Sequence, residues 1–368
     1  MRCLGSTQGA RTLRAVRVLV AMSGGVDSSV AASLLTEQGH DVVGATLKLW
    51  GGDSDSGCCS VSDVDDARRV AEQIGIDHRV FNFTEAFESG VVGPYVAEHA
   101  VGRTPNPCIE CNRRVKFGLL LERAVRLGFD ALATGHHARC VDRETRPRLV
   151  RGADRAKDQS YVLSMLHREQ LRRIVLPVGE LTKDAVRAHA RRRGLRTAAK
   201  PDSQEVCFIH SSSGRSGFLA GRMAFHPGRL VNSSTGEVVG SVPAVELVTP
   251  GQRRGLGVAG DGRRRYALAV DARGRRVVVG DAARATAIRV ALGDATWVDA
   301  PLERGGRTLA QTSAHGAASP CRWLGDALEF DEPQRIVAPG QTVAFYADTD
   351  PDTVVGSALA RGAPVLCG

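Results

Sequence analysis

"VAMSGGVDSSV", Val20 to Val30, closes a hydrophobic run with two glycines, an aspartate and two serines, and then becomes helical. The run ahead of the glycines, "VRVLVAM" from Val16 to Met22, is short, apolar and rich in β-branched residues, which reads as a buried strand. From Ser28 to Gln38 the apolar positions Val30, Ala31, Leu34 and Leu35 fall at helical spacing, and Gly39 stops the helix. A strand, a glycine turn and a helix start in direct succession raise the question of what sits against the turn.

The alternation continues downstream. "DVVGATL" from Asp41 reads as a second strand. Ser62 to Ile74 reads as a helix, with Val64, Ala67, Val70, Ala71 and Ile74 on one face and Ser62 as N-cap. "RVFNF" from Arg79 is a third strand, Leu119 to Leu127 lies in a helix, and "FDALATG" from Phe129 is a fourth strand. Thr182 to Arg193 is another helix, ended by Gly194. Strand and helix alternating to about Pro201 predict an α/β fold with a Rossmann-like, doubly wound parallel sheet.

After about Cys207 the texture changes. "RLVNSSTGEVVG", "RYALAVDARGRRVVVG" and "AFYADTDPDTVVGSALA" are short strands broken by Gly, Asn and Asp turns, which predicts small β-rich units, barrels among them. The expected division is a basic tail over 1–15, a nucleotide-binding catalytic domain over 16–208, a small central β-rich domain over 209–285 and a C-terminal β-barrel over 286–368. No internal repeat or long low-complexity linker interrupts it.

Composition sets outer limits. A chain of 368 residues with 43% apolar content supports two or three domains with substantial cores. No apolar run approaches the ~20 residues that a membrane-spanning helix needs. The formal charge of +9 favours phosphate-rich partners, although free arginine usage in a GC-rich genome leaves the same surface. Nine irregularly placed cysteines do not make the framework of a small secreted domain; they suit a reducing cytoplasm with some reactive thiols. Residues 1–15 are basic and lack a continuous apolar stretch, unlike a secretory signal; a transit peptide and a misplaced start codon both fit.

A parallel sheet binds ligands at the carboxyl ends of its strands. "SGGVDSS" sits at such an end. Gly24 and Gly25 can take positive φ and let the backbone approach a ligand, and the amides of the turn and helix start then face an anion. Ser23, Ser28 and Ser29 add hydroxyls. No Gly-Lys-Ser/Thr follows, so this is not the usual P-loop. Asp27 stands where negative charge would repel phosphate, which calls for Mg²⁺ on Asp27 or for only part of the triphosphate in the loop. The stretch resembles the PP-loop of ATP pyrophosphatases, SGGxDS, a class that cleaves ATP between the α and β phosphates and adenylates a substrate oxygen.

The cysteines narrow what the activated oxygen receives. In "TPNPCIECNRRVKFG", Thr104 to Gly118, Pro105 and Pro107 disfavour helix, and Cys108 and Cys111 follow just before one. A thiol at a helix start beside Arg113, Arg114 and Lys116 is expected to ionise readily. "KPDSQEVCFI" places Cys207 at the junction between the two textures, where clefts form.

Here the chain resembles the bacterial tRNA-specific 2-thiouridylases. The motifs are "AMSGGVDSS", "GCC", "TPNP" followed by "CN" and "KFG", "ATGHHAR", "KDQSYVL", "DSQEVCFI", "GQRRGLG" and "PGQ", in order from Ala21 to Gln341. The resemblance implies an ATP- and Mg²⁺-dependent sulfurtransferase that replaces O2 of wobble uridine U34 by sulfur, releasing AMP and pyrophosphate. It puts the nucleophile on Cys111 and the persulfide-carrying cysteine on Cys207. In that family scheme Cys111 helps release the sulfur carried on Cys207, leaving a Cys111–Cys207 disulfide. ATP is assigned to Ala21, Met22, Ser23, Gly24, Gly25, Val26, Asp27, Ser28, Leu47 and Gly135. Asn106, Pro107 and Cys108 meet the target base, and His136, Lys157, Asp158, Gln159 and Gln341 contact tRNA. The implied partners are the lysine, glutamate and glutamine tRNAs and a sulfur-relay persulfide donor protein; a cytoplasmic monomer is expected.

The residues also admit rival readings. Cys108-x-x-Cys111 could be half a zinc site, but Cys58 and Cys59 are adjacent and badly spaced to complete it. Cys108, Cys111 and Cys207 could instead hold an iron–sulfur cluster of the [4Fe-4S] type with one iron open to sulfur. Other PP-loop ligases adenylate and then amidate. The chain also departs from the resemblance: Glu205 stands where glycine is usual, Ser313 where an arginine contacts tRNA, and Pro250 precedes "GQRRGLG". Glu205 and Ser313 suggest a third reading, a tRNA-binding protein with a lapsed active site.

Overall fold

The computed structural model describes residues 15–50, 61–142, 145–202, 206–209, 213–258 and 264–361. Strand β1 (Arg17–Ala21), helix α1 (Val26–Glu37), strand β2 (Asp41–Lys48), helix α2 (Val61–Ile74) and strand β3 (Asp77–Asn82) follow one another as the alternation predicts. Val18, Leu19 and Val20 are all fully buried. An unbroken apolar run of this kind marks a strand covered on both faces. Ser62 stands inside the first turn of α2, which begins at Val61, so it does not cap that helix from outside.

Helix α3 (Pro107–Glu110) runs directly into a π-helix, Cys111–Leu120, and a last α-helical stretch, Leu121–Arg126. Leu119 to Arg126 is helical as expected, but the helix starts at Pro107, so Cys108 and Cys111 stand inside it rather than just before it. Pro107 does not oppose it, because it occupies the first turn, where a missing amide costs nothing. Asn106 caps it, accepting from the amides of Cys108 at 3.1 Å and Ile109 at 3.4 Å. Gly118 fits the wide turn: a β-carbon there would lie 2.9 Å from the Arg113 carbonyl oxygen.

Strands β4 (Ala131–Thr134), β5 (Ala138–Val141), β6 (Arg148–Arg151) and β7 (Ile174–Val175) and helix α4 (Lys183–Arg192) complete the first unit. The parallel sheet has the order β3-β2-β1-β4-β7. The order reverses between β1 and β4, which opens a crevice at their carboxyl ends.

The later hairpins also form. Gly228–Asn232 pairs with Val238–Val242, and Tyr266–Asp271 with Arg276–Gly280, inside one five-stranded sheet. Thr342–Ala347 pairs with Thr353–Ala360 in a second β unit. There Thr286–Trp297 pairs with Ala327–Arg335 on one side and with Thr353–Ala360 on the other, which closes the strands into a barrel. The β5–β6 hairpin extends the barrel sheet from outside, with Val150 opposite Thr353 and Leu149 opposite Val354.

Barrel residues Val298, Ala344, Tyr346 and Val354 lie in the same buried cluster as Leu19, Ile109, Phe117 and Leu132. Tyr161 donates its hydroxyl to the Thr342 carbonyl at 2.8 Å. The barrel and the nucleotide-type domain thus share a core, and the register of β6 fixes how they meet. Residues 1–14, Cys58, Cys59, Glu205 and Arg263 lie outside the described residues. Among the described residues, no helix is long and apolar enough to cross a membrane.

Candidate active site

The glycine turn takes its shape from two close approaches. Gly24 has φ +69, and a β-carbon on it would lie 2.4 Å from the Asp63 carbonyl oxygen, so α2 packs directly on the loop. Gly25 has φ −94, ordinary extended backbone, so only the first glycine uses the left-handed region. Gly135, after β4, would carry its β-carbon 2.5 Å from the Ser28 amide nitrogen. The two loops that follow β1 and β4 therefore touch backbone to backbone.

Ser28 Oγ accepts from the Ser23 amide at 3.1 Å, holding the turn closed. Ser29 does not serve as a donor toward a ligand. It is fully buried, and its hydroxyl donates to the Gly25 carbonyl at 2.8 Å. No side chain caps α1, which leaves its leading amides to an anion.

A cavity of about 490 Å³ opens over this junction. Ala21, Met22, Ser23, Gly25, Val26, Asp27, Ser28, Leu47 and Gly135 line it, as do His136, Lys157, Asp158 and Gln159. Gly24 does not; it acts through packing. Sequence reasoning missed several lining residues as parts of this site: Lys116, Lys183, Lys200, Asp63, Asp202 and His315. Lys183 carried one signal. It follows the cap Thr182 at the positive end of α4, where a lysine opposes the helix dipole.

The lysines are tied to aspartates. Lys183 Nζ lies 2.7 Å from both carboxylate oxygens of Asp27 and 2.8 Å from Asp202 Oδ1. Lys157 Nζ donates to Asp202 at 2.9 Å, and Lys200 to Asp63 at 2.6 Å and Asp66 at 2.7 Å. The buried His137 places Nε2 3.1 Å from Asp27 Oδ1. Burial alone would raise the Asp27 pKa, but the hydrogen bonds from His137 and Lys183 and their charge outweigh it and hold the carboxyl below its usual range.

Both oxygens of Asp27 are thus engaged by protein cations, and the expected Mg²⁺ on Asp27 does not fit this donor set. Among the described residues, no group of three or more His, Cys, Asp or Glu is gathered to hold a metal ion. Cys108, Cys111 and Cys207 are described residues and form no such group.

Asp202 behaves likewise. Burial pushes its pKa up, and hydrogen bonds and charge from Lys183 and Lys157 outweigh this, bringing it to about 2. A depressed carboxyl contributes stability that is present above its unfolded value of 3.8 and is lost as the pH falls toward about 2. Asp202→Asn is therefore expected to flatten the fall in melting temperature across that window. Thermal melts followed by circular dichroism read it, and a variant that loses stability as steeply as wild type contradicts the assignment.

The residues assigned to tRNA divide into two groups. His136 is half-buried, with Nδ1 2.7 Å from Thr134 Oγ1, and burial together with the Lys116 charge keeps it neutral, well below the usual histidine range. Asp158 is spent on structure: it accepts from the amides of Gly152 and Ser160, from Ser160 Oγ, and from Arg151 at 2.8 Å. Gln159 Oε1 accepts from the His137 amide at 2.8 Å. Gln341 donates to the Thr104 carbonyl, and Thr104 donates its amide to Pro339 at 2.8 Å, so "PGQ" fastens the "TPNP" segment to the barrel. Arg151 also reaches Gln311, whose amide holds the carbonyls of Ser313 and Ala314. This chain of bonds sets the exposed barrel loop that carries His315 over the cavity.

Neither Cys111 nor Cys207 lines the cavity. Cys111 is buried within the large shared core, and the half-buried Cys207 packs against the same core. Cys108 is exposed. Arg113 and Arg114 both pair with Glu110, at 3.2 and 3.1 Å, so their charge is partly offset near the thiol. Lys116, one helical turn beyond Cys111, does reach the cavity; so do Lys200, Pro201 and Asp202, on the chain leading to Cys207.

The switch-point cavity and its glycine loop define a nucleotide-binding domain of the PP-loop class. The family model described as "tRNA methyl transferase HUP domain" matches residues 16–211. The accompanying PRC-barrel and aminomethyltransferase β-barrel models match 216–281 and 291–360. A tRNA-specific 2-thiouridylase MnmA of Mycobacterium avium is 45% identical over 94% of this chain and 99% of its own. One from Salinispora arenicola is 46% identical over 94% and 98%. The chain belongs to the tRNA-specific 2-thiouridylase family. Among solved structures, the U34-tRNA thiolase NcsA of Methanococcus maripaludis aligns with a TM-score of 0.36 at 19% identity, over 58% of this chain and 67% of its own.

Proposed function

We propose that this protein is a tRNA-uridine 2-sulfurtransferase: it adenylates O2 of the wobble uridine with ATP and replaces that oxygen by sulfur. The observation that carries the reading is the company the cavity keeps. A loop suited to phosphate, the cationic side chains Lys116, Lys157, Lys183 and Lys200, and the segments bearing Cys111 and Cys207 all meet around it.

The chemistry follows from leaving groups. A uracil carbonyl oxygen leaves poorly, and as part of AMP it leaves well. Cys207 carries the incoming sulfur as a persulfide. Its terminal sulfur attacks C2, forming the S–C2 bond as the C2–O bond to AMP breaks. The Cys111 thiolate then attacks the Cys207 sulfur, forming the Cys111–Cys207 disulfide and releasing the thiocarbonyl on the base. A dithiol reductant restores the pair. Because Cys111 is buried, its segment must open when tRNA binds. The uridine must be splayed out of the anticodon to present C2.

Lys157 adds phosphate-neutralising charge at the cavity mouth. His136, and Asn106, Pro107 and Cys108, face the incoming RNA, while Asp158, Gln159 and Gln341 position those segments. The substrates are the lysine, glutamate and glutamine tRNAs, Mg²⁺ arrives with ATP, and a relay protein delivers the persulfide in the cytoplasm to a monomeric enzyme. Incubation with unmodified tRNA, Mg-ATP and a persulfide donor, followed by nucleoside mass spectrometry, is expected to yield 2-thiouridine at position 34. Tight nucleotide turnover with an amidated product, or tRNA binding without pyrophosphate release, would favour the rival readings instead.

A further inference from the structure

We propose that Lys183 is the phosphate-binding lysine of this site, supplied by the start of α4 in place of the lysine that the glycine loop lacks. The proposal rests on the reading of the cavity as an ATP site. Three observations lead to it. "SGGVDSS" contains no lysine and no Gly-Lys-Ser/Thr follows it, so the loop's own chain provides amides but no ammonium. The Lys183 side chain is only 11% exposed, yet it lines the cavity and contacts Asp27, a residue of the loop itself. Its place at the positive end of α4 is unfavourable for a cation, so its carboxylate partners hold it there.

The other lysines are placed differently. Lys200 is held by Asp63 and Asp66, on α2. Lys157 is 40% exposed and pairs with Asp202. Lys183 bridges Asp27 and Asp202, two of the carboxylates that line the cavity. An ammonium has three donors and can keep one carboxylate while turning another hydrogen to phosphate. Without that charge, Asp27 and Asp202 repel the triphosphate.

In the adenylation step the uracil O2–Pα bond forms and the bond from Pα to the bridging oxygen of pyrophosphate breaks. The N3 proton of the base leaves to solvent. Negative charge gathers on departing pyrophosphate, and an ammonium fixed beside it favours that charge over the ground state.

The test uses the full chain and measures binding of ATP and AMP by titration calorimetry, with pyrophosphate release as a second readout. Wild type is expected to prefer ATP over AMP. Lys183→Gln is expected to lose about tenfold or more in ATP affinity while AMP binding changes little, and Lys183→Arg to keep most of the preference. Should the unpaired carboxylate unfold K183Q, the double variant D27N/K183Q removes it, and the preference should still be lost. A K183Q chain, single or double, that retains the wild-type ATP-to-AMP ratio overturns the proposal alone. A wild-type chain that binds both alike, or neither, overturns the ATP reading and this proposal with it.

Discussion

Cys207→Ser and Cys111→Ser should each cut 2-thiouridine formation on the order of a thousandfold or more, while ATP- and tRNA-dependent pyrophosphate release survives for a single turnover. The two readouts separate because adenylation uses the cavity and sulfur transfer uses the thiols, and neither thiol lines the cavity. Serine is close to cysteine in size but forms no persulfide. Replacing Cys207 removes the sulfur carrier, and replacing Cys111 leaves the base joined to Cys207 through a C2–S–S linkage that nothing cleaves. Wild-type thiolation in either variant, read by nucleoside mass spectrometry, removes that residue from the reaction. An amidating ligase would be untouched by Cys207→Ser.

Gly135→Ala should weaken ATP binding by at least about tenfold without touching the thiols. The added β-carbon would lie 2.5 Å from the Ser28 amide and 2.7 Å from the Asp27 carbonyl carbon, both backbone atoms that no rotamer change can move aside. Overpacking of this kind costs roughly 1–3 kcal/mol, and here the strain falls on the loop that must cradle phosphate. Nucleotide titration and thermal melting check it together. An alanine variant that binds ATP as wild type does would mean that the contact between the two loops is not what shapes the site.

The sheet was legible because its strands are covered on both faces. Buried runs such as Val18 to Val20 and helical spacing such as Val30, Ala31, Leu34 and Leu35 survive as patterns in one dimension. The glycine loop was legible because backbone approach demands a residue type at a fixed spacing. The start of the Cys111 helix was not, since proline signals a break and its tolerance at a first turn depends on the cap from Asn106. The ionic lattice was invisible for a different reason. Asp27 and Lys183 are 156 positions apart, and charges pair across any separation without leaving a period. The same holds for Gln341, whose amide meets the Thr104 carbonyl 237 positions away. Ser313 and His315 show a mixed case: the barrel loop was flagged by a missing arginine, and only the fold reveals that it borders the cavity.

The most direct test of the account is to follow the sulfur through one turnover. Enzyme charged with persulfide is mixed with Mg-ATP and unmodified tRNA, quenched with an alkylating reagent and mapped by peptide mass spectrometry. The account predicts a Cys111–Cys207 disulfide formed in equal amount to AMP and to 2-thiouridine. Thiolated tRNA produced while both cysteines remain alkylatable, or with the new bond on Cys108 instead, would contradict it.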